Sequence, residues 1–153
     1  MRIRFGRPVG IVIGLAAALA GCDAKAPPPA PGCAAGSAAL ERALASAPAA
    51  VRLPGGTPIS ACVDHARTAG QLLAVGSLLT GTADRLAVRA VRTPAAALEL
   101  GYLVGATRRG AGHTNGIASE LQRRIESAAA LREAVPASLD ALHRGIGAGE
   151  RSG

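Results

Sequence analysis

Aromatic side chains are almost missing from this sequence. Its 153 residues include one Phe (Phe5), one Tyr (Tyr102) and no Trp. The interior must then be built from Ala, Leu, Val and Ile, whose burial contributes about 25 cal/mol per Å². Small side chains supply little area each, so backbones must approach closely and local propensity must help. Spacings that carry chemistry are missing as well. His65, His113 and His143 form no H-x-x-x-H or H-E-x-x-H pair, which leaves metal binding only to convergence in space. No G-x-S-x-G occurs, and the Asp and Glu residues are scattered without a pair suited to general acid–base work. The Gly-rich stretches match neither a phosphate loop nor a dinucleotide fingerprint. The expectation is no catalytic residue, no metal and no cofactor: a protein that is not an enzyme. An enzyme reading would need His, Asp and Arg to converge in a cleft.

What is present begins with a charged and apolar N-terminus. Arg2, Arg4 and Arg7 precede an apolar run, Val9 to Ala20, broken only by Gly10 and Gly14. That is the layout of an export signal. The run is shorter than the roughly 20 residues a helix needs to cross hydrocarbon. Directly after it, Leu19-Ala20-Gly21-Cys22 resembles the lipobox of bacterial lipoproteins at all four positions. The resemblance covers residues 1–22. It implies a signal at 1–21, cleavage before Cys22, and diacylglycerol joined to the Cys22 thiol as a thioether. The chemistry fits: small residues at 20 and 21 let the backbone enter a peptidase site. It also implies a cell-membrane location, on the exported side, with the bilayer as a partner through the lipid. One acyl chain would bind only reversibly, at about 0.8 kcal/mol per buried CH₂, whereas two or three anchor stably. In some Gram-negative lipoproteins an Asp after the lipidated Cys, as Asp23 is here, favours inner-membrane retention. An ordinary signal cut after Ala18-Leu19-Ala20 and an uncleaved anchor are the alternatives.

Of the 17 Lys and Arg residues, three lie in the signal, which leaves 14 against 10 acidic residues and a balance of +4. For an exported protein this reads as a mildly basic surface, with no nucleic acid as partner. Residues 23–32 contain four prolines, which fix φ and lack an amide N–H. They read as a tether, with 22–36 as lipidated Cys plus linker. Cys33 and Cys62 remain once Cys22 is lipidated. Two thiols in an oxidising compartment predict a disulfide across 29 residue steps.

The rest is Ala- and Leu-rich, and Ala is the best helix former. An all-α fold follows: a small bundle of about three long helices plus short ones, over 37–147, with a flexible Gly-rich tail at 148–153. A short helix over 37–47 has Ser37 as start and Pro48 as stop, followed by a loop over 48–58. A long helix is predicted from Ser60 to Arg92, with Val63, Ala66, Gly70, Leu73, Gly76, Leu79, Ala83, Leu86 and Ala90 on one face. Thr93-Pro94 restarts a helix that runs to about Arg109. A third long helix is expected over 117–134, ended by Pro136, and a short one over 138–144.

Two clusters stand out as interaction candidates. Ala97, Gly101 and Gly105, four apart, bare one helix face beside Tyr102, suited to tight packing within the bundle or to a helix–helix seam with a partner. Arg85, Arg89 and Arg92 recur at helical spacing, with Arg108-Arg109 and Arg123-Arg124 on neighbouring helices. Converging, they would make an anion-binding patch; apart, they are solvated faces. The leading expectation is a membrane-anchored envelope lipoprotein with a helical interaction or structural domain. Another envelope protein or a second copy is its partner. The alternative is a small-molecule or lipid-binding module of the cell envelope.

Overall fold

The computed structural model describes residues 28–153. The signal at 1–21, Cys22 and the first part of the tether lie outside the described residues. The described part is all-α, with six helices: α1 (Ser37–Leu44), α2 (Ile59–Asp64), α3 (Ala69–Ala90), α4 (Pro94–Ala111), α5 (Ser119–Ala128) and α6 (Pro136–Ser152). A short 3₁₀ turn, Pro54–Gly56, lies between α1 and α2.

α4 is the central helix, packed against each of the other five. Its sequence explains this. From Leu100 to Thr107 every residue is buried, and a helix apolar around its whole circumference needs neighbours on all sides. Thr93 precedes it and Pro94 occupies its first turn, as expected. α3 runs antiparallel to α4 across the tight connection at 91–93. α5 runs back alongside α3.

The long helix expected over 60–92 is two helices. α2 ends at Asp64, and α3 starts at Ala69 behind a capping box. Thr68 Oγ1 accepts a bond from the Gln71 N–H at 3.1 Å, while Gln71 Oε1 accepts from the Thr68 N–H at 3.2 Å. Two orphan donors are satisfied at that point, so a helix start there outcompetes continuity. Inside α3 itself, Leu73 lies about 120° around the axis from Leu79, because two successive steps of three drift off a 3.6-residue face. Leu79, Ala83, Leu86 and Ala90 are buried as predicted, joined by Val75 and Thr82, but Leu73 is 72% exposed.

The largest difference lies at the C-terminal end. The predicted helix over 117–134 is only Ser119–Ala128, and Pro136 opens the next helix instead of merely ending the last. α6 then continues for 17 residues to Ser152. The segment 148–153 is therefore no flexible tail. Ala148, Gly149 and Gly153 are buried, and the helical domain reaches Ser152 rather than 147. α6 lies parallel to α4 in the most extensive helix pair of the fold. A Cβ on Gly101 would meet Leu142 O, and one on Gly105 would meet Ile146 O. From the other side, a Cβ on Gly145 would meet Leu98 O and one on Gly149 would meet Tyr102 O. Glycine costs a helix about 1 kcal/mol against Ala. Here the cost is offset by backbone-to-backbone contact that no other residue permits.

The Cys33–Cys62 disulfide is formed, with Cα atoms 5.5 Å apart. Both cysteines are buried, so the packed domain starts before residue 37. The bridge fastens the segment leading into α1 onto α2.

Candidate functional site

The sequence-predicted basic cluster does not converge. Arg85 and Arg89 lie near the end of α3, where both reach Glu41 of α1. The closest approaches are 2.8 Å from Arg85 Nε and 3.5 Å from Arg89 Nη2. The Arg85 hydrogen bond, aided by the Arg89 charge, holds Glu41 below the usual carboxylate range. Arg92 is exposed at the α3–α4 turn. Arg108 sits at the other end of α4, about 20 Å away at 1.5 Å per residue. It bridges Glu126 of α5 at 2.7 Å and Glu150 of α6 at 3.1 Å. The Glu126 bond, reinforced by Glu150, raises the Arg108 pKa. Arg109 donates to the carbonyls of Glu150 and Arg151, and Arg52 to that of Ser152. Cations at these carbonyls complement the negative end of the α6 dipole. Arg85, Arg89, Arg108 and Arg109 fasten helices together, and no shared anion site results.

Gly101, Gly105 and Tyr102 also face inward. The glycines are covered by α6, so their seam is intramolecular. Tyr102 is fully buried. Its hydroxyl accepts from the Val51 N–H at 3.0 Å and lies 3.0 Å from Ser152 Oγ. This ties the loop after α1 to the end of α6. Ser60 Oγ adds a bond to Gly153 O. Among the described residues no group of three or more His, Cys, Asp or Glu is placed to hold a metal. None of the described helices is long and apolar enough to cross a membrane.

A surface feature that sequence reasoning missed lies between α3 and α5. A groove of about 360 Å³ is lined by Leu72, Leu73, Gly76, Ile117, Leu121 and Arg124, among others. Leu73 and Ile117 project from it, 72% and 69% exposed. It continues into hollows at both ends. One shares Thr80 and Arg124 and adds Asp84 and Arg123. The other shares Leu72 and Ile117 and adds Asp64, Arg67 and His113. Glu120 on the rim is bonded by Arg123 and Arg124, which lower its pKa to about 2. The Glu120–Arg124 pair is the i,i+4 contact that the spacing implies. The groove is not evident from the sequence because steps of three and four from Val63 to Ala90 put Leu73 on the core face. The signal that reveals it is the angle within α3, about 120° between Leu73 and Leu79 at 3.6 residues per turn.

Compared with known proteins, the chain matches no family, no curated relative and no solved structure.

Proposed function

We infer that the chain is a lipid-anchored component of a bacterial cell envelope, presenting its helical domain as an interaction or structural module. The observation that carries this reading is Leu19-Ala20-Gly21-Cys22, set directly behind an arginine-flanked apolar run. The Cys33–Cys62 disulfide supports it, because such bonds persist in oxidising compartments outside the cytosol. It also occupies both other cysteines, which leaves Cys22 as the thiol for lipid. The proline-rich stretch between Cys22 and the packed domain suits a spacer. The bilayer is one partner, through the acyl chains. Another envelope protein or a second copy is the other.

Growth with a clickable fatty-acid analogue tests the anchor. The wild-type chain should take up label and partition into the membrane fraction, and Cys22→Ala should do neither. Label retained on Cys22→Ala, or an unlabelled cytosolic chain with its first methionine intact, would overturn the reading. The apolar groove between α3 and α5 favours one second reading, a small-molecule or lipid-binding module. Native mass spectra of the purified protein with a retained ligand would support that alternative.

A further inference from the structure

We propose that the α3–α5 face is a membrane-docking surface, with Leu73 and Ile117 inserting past the headgroups into the upper acyl layer of the bilayer that holds the anchor. The proposal rests on the lipid-anchored reading and adds an orientation of the domain to it.

The exposure pattern is the starting point. Leu73 of α3 and Ile117, just before α5, line one groove and are 72% and 69% exposed, beside Leu72, Gly76 and Leu121. Two large aliphatic side chains projecting outward from one rim are poorly placed to enclose a small ligand. They are well placed to enter an apolar layer.

The position of the tether names that layer. The incoming chain packs beside the 3₁₀ turn, where Pro31 lies against Gly55 and Gly32 against Leu53 and Pro54. Cys33 is bonded to Cys62 in α2. Arg67, at one mouth of the groove, lies only five residues beyond Cys62. Chain length alone keeps the two within about 18 Å. Cys22 is eleven residues from Cys33, a reach of at most about 40 Å. Tethering over such distances gives effective concentrations of order mM. A contact too weak to recruit a free protein then suffices to orient a tethered one.

The charges around the groove define what drives docking. Arg67, Arg123 and Arg124 are matched by Asp64, Asp84 and Glu120. With no net charge on the rim, attraction to anionic lipid contributes little, and transfer of the two aliphatic side chains is the driving term. Docking is therefore insensitive to salt and to the fraction of anionic lipid.

The lack of tryptophan makes the test clean. Leu73→Trp, Ile117→Trp and Val88→Trp each introduce a single indole at an exposed site, so folding is not at risk. Val88 is 81% exposed and about 22 Å further along α3. The full lipidated chain is reconstituted into vesicles of phosphatidylethanolamine and phosphatidylglycerol, with or without lipids brominated high on the acyl chain. The expected result is a blue-shifted emission at positions 73 and 117, quenched several-fold more by brominated lipid than at position 88. It should be unchanged between low and high salt. Water-like emission at 73 and 117, or a blue shift without quenching, would overturn the proposal and leave the face to a protein partner. Co-flotation with the vesicles reports separately on the anchor. If the chain does not float, a hexahistidine tag ahead of residue 23 and a nickel-chelating lipid supply the tether. A quenched, blue-shifted signal then upholds docking although the lipoprotein reading has failed. Its absence overturns docking as well.

Discussion

Tyr102 is the largest side chain fully buried in the described domain, and in a chain this poor in rings it has no substitute. Its hydroxyl is the partner of a buried main-chain donor, the Val51 N–H. Tyr102→Phe keeps the ring but strands that donor. A loss of about 1–3 kcal/mol is expected, seen as a lower urea midpoint with an unchanged slope. Glu99 presents the opposite case. Burial raises its pKa above the ordinary 4.5, outweighing the attraction of Arg89. A carboxyl whose folded pKa is raised binds more protons folded than unfolded, so its contribution falls as pH rises through that window. Glu99→Gln should therefore raise the melting temperature at pH 7. The gain should shrink toward zero as pH falls below the ordinary 4.5, where the carboxyl becomes neutral in both states. Chain position marks Tyr102 as a core residue, but nothing in it names Val51, 51 residues away. Glu99 carries no sequence signal of its burial at all.

At the scale of elements, α4 against α6 decides the fold. Both helices carry small residues four apart: Ala97, Gly101 and Gly105 on one, Ala141, Gly145 and Gly149 on the other, with Gly153 capping it. The first set was legible as a bare face. The second was hidden, because glycines near a chain end suggest a loose tail unless a partner surface is known. Two alanine substitutions in α6 separate packing from propensity. At Gly145 a Cβ would meet Leu98 O and Tyr102 N, so Gly145→Ala should destabilise by about 1–3 kcal/mol through overpacking. Two residues on, a Cβ at Gly147 would meet only the flexible end of Arg151, at 3.2 Å. Gly147→Ala should instead stabilise by about 1 kcal/mol, the propensity gain. Guanidine denaturation of the pair checks both signs. The boundary between α2 and α3 belongs to this scale too. The Thr68–Gln71 cap was present in the sequence, but an uninterrupted Ala/Leu periodicity masked it.

Over the whole molecule, small side chains leave little margin, and covalent linkage matters accordingly. The Cys33–Cys62 bridge closes 29 residue steps. On the chain-entropy account it stabilises by roughly 3.5 kcal/mol, a large share of the 5–15 kcal/mol typical of a domain. Reduction, or the Cys33→Ala/Cys62→Ala pair, should lower the unfolding free energy by about that amount without loss of helical circular dichroism at 25 °C. The bridge also fixes where the tether joins the bundle.

Composition and short-range pattern determined the fold class, the Thr93-Pro94 restart, the disulfide and the bare face of α4. Each follows from local propensity, capping or residue counting. Tertiary structure alone decided that α6 runs to Ser152 and that Arg85 and Arg108 are spent on separate ion pairs at opposite ends of α4. In a chain dominated by alanine and glycine, many helix faces are nearly equivalent to a neighbour. Which one is buried depends on how closely two backbones can approach, and that is a property of the pair.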